Sequence, residues 1–152
     1  MTLIEMLLVL AILGILFGLA ASVKPWAFDG RRIAEDSRRL LQTAKSEASK
    51  RNRSVWVQVN DGEIRTFTGS VAAGCTVSEE DPVGSLSASE YRGGFSFSSS
   101  YENGLFRFNP QGFPRDCYGN PLAGEIDIVG SGRKLCVSQG GSLRVVKGGA
   151  CP

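Results

Sequence analysis

The chain has 152 residues, with 17 Lys and Arg against 15 Asp and Glu, a net charge of +2. A charge that close to balance gives no general reason to expect a nucleic acid partner. There is no histidine, which excludes Ser-His-Asp and Cys-His catalysis as usually built and removes the commonest metal ligand.

The first element is apolar. Residues 1–23 carry one charge, Glu5, and from Met6 to Val23 there is none. As a helix rising ~1.5 Å per residue, such a stretch matches the ~30 Å hydrocarbon core of a bilayer. Three readings compete for it. A secretory signal has cations before a shorter apolar run, whereas the first cation here is Lys24. An ordinary anchor explains the length but not Glu5, because a carboxylate in hydrocarbon costs on the order of 2.5–3.5 kcal/mol without a partner. In the third reading, copies of the helix lie side by side. Glu5 then accepts a charge-assisted hydrogen bond from the α-amino group of Met1 on a neighbouring copy.

Pro25 lacks a backbone donor and disfavours helix at Lys24, so a break or kink is expected there. Trp26 and Phe28 read as an interfacial belt or as core contacts, and core contacts are preferred because Asp29-Gly30 follows and the helix must dock on a globular head. From Arg31 to Arg53 the pattern is an amphipathic helix. Ile33, Ser37, Leu40, Leu41, Ala44 and Ala48 share one face, a narrow stripe suited to close packing on a sheet. Glu47 with Arg51, and Glu35 with Arg39, have favourable i,i+4 spacing. The basic excess of this helix reads as a solvated face rather than a nucleic acid patch.

The period then changes to two. Val55, Val57 and Val59 alternate with Trp56 and Gln58 as a strand, Asn60-Asp61-Gly62 turns, and Glu63 to Thr68 returns. Cys75 to Val77 reads as a short strand, followed by loop through Glu79-Glu80-Asp81-Pro82-Val83-Gly84 and the Ser-rich stretch beyond. The three acids invite a calcium reading, but one acidic run without a second cluster reads as a solvated loop. Further strands are expected at 94–98 (Phe95 and Phe97 on one face), at 105–108 after Asn103-Gly104, and at 124–129 with Ile126 and Ile128 inward. Asn109 to Gly112 turns. A final hairpin pairs 134–138 with 142–147. The total is six to eight short strands behind one long helix, an α+β arrangement of roughly 125 residues in one domain. Asp116, Glu125 and Asp127 belong to no nucleophile or acid–base motif, so no catalysis, cofactor or metal is expected.

Cys75, Cys117, Cys136 and Cys151 form no CxxC pair, which weakens zinc and redox-motif readings. Four cysteines behind a membrane-length helix suggest two disulfides in an oxidising compartment, with three pairings open.

Met1-Thr2-Leu3-Ile4-Glu5 followed by about eighteen apolar residues resembles the mature start of type IV pilins and type II secretion pseudopilins. Met1 stands where that family usually has Phe. The resemblance implies a pilin-like fold: a long amino-terminal helix packed on an antiparallel β-sheet head with disulfides. It implies three regions: 1–23 as the membrane or filament-core half of the helix, 24–53 as its amphipathic half, and 54–152 as the head. It also implies processing by a prepilin peptidase with N-methylation at Met1, although Met1 also reads as an initiator methionine. Assembly would run through Thr2, Leu3, Ile4 and Glu5 with copies of itself or other pilins, on an inner-membrane platform. Before assembly the helix would sit in membrane lipid, with the head in the periplasm. Afterwards the chain would be part of a surface or periplasm-spanning filament.

Residues 43–57, the Phe106-Arg-Phe-Asn-Pro-Gln-Gly turn and the hairpin around Gln139-Gly140-Gly141 are similar to the GspH/FimT-like group of minor pilins and pseudopilins. Some members of that group bind DNA through a basic segment of this hairpin. Here the matching positions read Gly141-Ser142-Leu143-Arg144, without the first arginine. Arg133, Lys134, Arg144 and Lys147 remain as candidates for weak DNA or surface contacts. The expected function is a structural subunit of a type IV filament; the alternatives are a type II secretion pseudopilin or a DNA-binding minor pilin.

Overall fold

The computed structural model describes residues 3–22, 26–72 and 75–152. The expectations for Met1, Thr2, Lys24 and Pro25, and for the side chains of Leu3, Trp26 and Phe28, fall outside that description. Two helical segments open the chain, α1 (Leu3–Ser22) and α2 (Trp26–Arg51). Among the described residues, nine strands follow: β1 (Val55–Val59), β2 (Glu63–Ala72), β3 (Thr76–Ser87), β4 (Ser96–Ser99), β5 (Leu105–Phe108), β6 (Pro114–Arg115), β7 (Gly124–Val129), β8 (Arg133–Val137) and β9 (Leu143–Lys147). They form two antiparallel sheets, ordered β3-β2-β1-β5-β6 and β4-β7-β8-β9. The head is antiparallel β-sheet as expected, divided into two sheets, with more strands than the pattern suggested.

Helix α2 holds the two sheets together. Its stripe of Ile33, Ser37, Leu41, Ala44 and Ala48 is buried, as is Ala34. The buried Ser37 hydroxyl donates to the Ile33 carbonyl, 2.7 Å away, so no polar group is stranded there. Gly30 continues the helix at a site where a Cβ would come within 3.2 Å of the Ser131 Cβ, so its lack of a side chain lets α2 lie close against the β7–β8 turn. The far end is closed by Asn52 in the left-handed region (φ 50°). Its N–H reaches the Ser49 carbonyl and the Arg53 N–H reaches the Ala48 carbonyl, which together cap the helix. Glu47 pairs with Arg51 at 3.0 Å as the spacing implies. The other expected pair does not form: Glu35 lies against Arg38 and Arg39 against Asp36, because i,i+3 neighbours compete with i,i+4 on the same face.

The main core lies between α2 and the sheets. On the five-stranded sheet, Val57 stands opposite Phe106 and Val55 opposite Phe108, all buried. Tyr101 stacks on Phe106 at 4.2 Å. The four-stranded sheet contributes Ile126, Ile128, Leu135 and Val137. A second, smaller cluster of Trp56, Phe67 and Leu105 covers the opposite face of the first sheet. There Phe67, Trp56 and Arg107 are directly opposed across three strands. The Arg107 guanidinium sits 5.2 Å from the Trp56 ring centre, a cation–π contact.

The loop expected after Val77 is overturned by the extended backbone of residues 76–87. They form the twelve-residue strand β3, the edge of its sheet, paired along β2 with two register irregularities. Proline and adjacent acids read as loop, but an edge strand tolerates both, since one side of its backbone carries no ladder. The acids are not left to solvent alone. Glu79 meets Arg65 at 3.0 Å, Glu80 meets Arg53 at 3.4 Å and Asp81 meets Arg51 at 4.0 Å.

Candidate assembly surface

Helix α1 covers about 30 Å at ~1.5 Å per residue. Its side chains are described from Ile4 to Leu16. Ten large apolar residues in that span are exposed, by between 44% for Leu13 and 75% for Ile4. They cover every face of the helix, so no single stripe is set aside for the head. A helix apolar all round belongs in lipid or in a core built by several chains. Burying the exposed part of ten such side chains is worth on the order of 10 kcal/mol as an upper bound. Among the described residues, no helix is long and apolar enough to cross a membrane; the α1 side chains beyond Leu16 lie outside that description. Glu5 and Ile4 sit in the first turn of α1. A carboxylate is favoured there by the partial positive charge of the helix start.

The head is tied by two disulfides, Cys75–Cys117 and Cys136–Cys151. The first joins the start of β3 to the loop after β6, beside the Trp56 cluster. That loop is also held by Asp116, whose Oδ1 accepts the N–H groups of Tyr118 (2.9 Å) and Asn120 (2.7 Å). Burial alone would raise the Asp116 pKa, but hydrogen bonds from Asn120, Tyr118 and Gly119 outweigh it and hold the carboxyl below its ordinary value. The second disulfide fastens the segment after β9 onto β8.

The four candidate cations of the last hairpin are not brought together. Arg133 lies opposite Lys147, and Cys136 opposite Arg144. Cross-strand partners share a face and neighbours along a strand alternate. Arg133 and Lys147 therefore take the α2 side of the sheet, and Lys134 and Arg144 the other. Lys134 is already bound to Glu125 at 2.8 Å, which raises its pKa. Sequence reasoning overlooked Lys45, whose Nζ donates to the Gly141 carbonyl at 3.0 Å and fastens the hairpin turn to α2. A lysine beside the apolar stripe of α2 carried no distinguishing signal.

The sequence pattern of the GspH family, described as type II transport protein GspH, matches residues 34–141. It begins inside α2, so α1 lies outside the match. No curated protein matches the chain at a significant level. The fold is similar to the type IV minor pilin FimU of Pseudomonas aeruginosa PAO1, with a TM-score of 0.58 and 20% identity, covering 76% of this chain and 91% of that one. It is also similar to the minor pseudopilin EpsH from the type 2 secretion system of Vibrio cholerae. There the TM-score is 0.53 and the identity 12%, covering 78% of this chain and 97% of that one. The two-sheet, disulfide-tied head behind amino-terminal helices is thus a pilin-like α+β fold, and with well over half of its length matched the chain belongs to the GspH family.

Proposed function

We propose that the chain is a structural subunit of a type IV filament, a minor pilin or pseudopilin, assembled through α1. The observation that carries this reading is the exposure of ten large apolar side chains on every face of α1 between Ile4 and Leu16. Before assembly, residues 1–23 rest in the inner membrane and the head faces the periplasm, where disulfides persist. During assembly, the α1 helices of successive subunits bury one another, with Glu5 against the neighbouring Met1 amino group after prepilin peptidase processing. Contacts of this kind are heterologous and do not close, so they build a filament rather than a ring. The amphipathic region 24–53 and the head 54–152 form the outer layer.

Catalysis has no place in this reading. DNA binding is disfavoured by the division of Arg133, Lys134, Arg144 and Lys147 between opposite faces of one sheet. Filaments sheared from producing cells, probed for the chain in strains lacking either a pilus or a secretion assembly platform, test the proposal. The chain is expected in the filament fraction and should vanish with one of the two platforms. Its persistence in the membrane fraction alone, in every strain, would overturn the reading. Copy number per filament length separates a minor component from a shaft.

A further inference from the structure

Strand β9 ends the four-stranded sheet, pairing with β8 on one side. At the two ends of that pair, the Ser138 N–H donates to the Ser142 carbonyl and the Gly148 N–H to the Gly132 carbonyl, both at 3.0 Å. With Cys136 opposite Arg144, antiparallel alternation turns the backbone groups of Arg144 and Val146 toward β8. Those of Leu143, Val145 and Lys147 face outward, and no other described residue takes them up. The long edge of the other sheet is managed differently: β3 carries Pro82, two register irregularities and three acids held by arginines. Strand β9 keeps a regular five-residue register, with neither proline nor bulge.

A depression flanks β9 on each face. Toward α2 lies a groove of about 520 Å³, lined by Gln42, Lys45, Lys50 and Leu143 among others. On the opposite face lies a cleft of about 830 Å³, lined by Ser138, Ser142, Arg144 and the Cys136–Cys151 pair among others. Each depression contains at least one cation, and Arg144 and Lys147 make no ion pair with another described residue.

We propose that the free edge of β9 takes an extended, acid-bearing peptide segment of a different chain as a fifth strand. The backbone of the segment satisfies the three outward residues, and its alternate side chains fall into the two depressions. Charge complementarity selects acids: Arg144 waits on one face and Lys147 on the other, whereas Lys45 and Lys50 are already held by the Gly141 carbonyl and by Glu47. A second copy of this chain is a poor occupant. Its acidic run, Glu79 to Asp81, is already bound to β2 and to three arginines, and its own β9 is cationic.

Hydrogen exchange by NMR on the ¹⁵N-labelled full chain in detergent micelles tests this. The probe is an end-blocked eight-residue peptide alternating Val and Glu, compared with the same peptide carrying Lys for Glu. At saturation with the Glu peptide, the amides of Leu143, Val145 and Lys147 should exchange at least about 10-fold more slowly, with those of Arg144 and Val146 unchanged. The Lys peptide should bind at least about 10-fold more weakly. Lys147→Pro removes an outward donor and no ladder donor, and should abolish the protection; Lys147→Thr should keep it. The unaltered chain carries the test even where Lys147→Pro fails to fold. Absence of protection at millimolar peptide, or equal protection by the Lys peptide, would overturn the proposal. So would protection that grows with protein concentration alone, which would make the occupant a second copy. Displacement of the peptide by a single-stranded oligonucleotide that leaves the three amides unprotected would assign the surface to nucleic acid and overturn it too.

Discussion

Two leucine-to-alanine changes should separate folding from assembly. Leu41 is wholly buried between α2 and the sheets, whereas Leu10 on α1 is 64% exposed. Truncating a buried leucine leaves a cavity and costs ~2–5 kcal/mol. For a head of this size, Leu41→Ala should lower the melting temperature on the order of 10 °C. Leu10→Ala removes about three carbons, worth ~0.8 kcal/mol each when buried, of which the exposed two thirds is available to assembly, ~1.5 kcal/mol per subunit. That is about a 10-fold loss in each association step. Thermal unfolding of the purified full chain in detergent reads the first quantity, and filament yield at matched protein level reads the second. Leu41→Ala should move the first strongly; Leu10→Ala should leave the first unchanged and depress the second. If Leu10→Ala melts the head as Leu41→Ala does, or leaves filament yield untouched, the division of labour between α1 and the head is wrong.

Replacing Cys136 and Cys151 by serine should cost ~3 kcal/mol for a loop of this length, and replacing Cys75 and Cys117 ~4 kcal/mol for the longer loop. Urea unfolding measures both, and intact mass finding four free thiols would refute the oxidised state. Two carboxyls link stability to acid pH: hydrogen bonds from Lys50 and Arg51 lower the Glu47 pKa from its ordinary 4.5, and hydrogen bonds to the turn lower that of Asp116 from 3.8. Each contribution is complete above the ordinary value and lost as pH falls through the lowered one. Melting temperature should therefore drop as pH falls below about 4, and less steeply in Glu47→Ala and Asp116→Ala; variants with an unchanged slope would contradict the linkage. Gly141→Ala should destabilise by ~2 kcal/mol or more, because φ is 76° and the new Cβ would strike the Gly112 carbonyl oxygen. Urea unfolding reads that loss, and unaltered stability would show that the turn relaxes.

The main elements were legible because each has a strong local pattern. The stripe of α2 follows a 3.6 period, and the valines of β1 and the isoleucines of β7 follow a period of two. Asn103 and Gly104, both at positive φ, marked their turn correctly. Strand β3 was not legible, because Pro82 and three acids have the composition of a loop. Its pairing depends on β2 and on Arg51, Arg53 and Arg65, none of which is a sequence neighbour. Strand β6 is two residues long, too short for any periodic signal. The hairpin cations looked like one basic patch because sequence proximity does not report sheet face. Their division between faces, and the open edge of β9, emerge from register alone. The division of the strands into two sheets also depends on long-range pairing, since β4 joins β7 across more than twenty residues.

In the proposed assembly, α1 is the element that carries the chain into a filament. Quantitative mass spectrometry of sheared filaments, comparing the natural chain with Glu5→Ala at equal cellular level and with equal head melting temperature, tests it most directly. The natural chain should be present in the filaments, and Glu5→Ala should be depleted at least about 10-fold and retained in the membrane. Equal incorporation of the two chains, or absence of both from every filament, would contradict it.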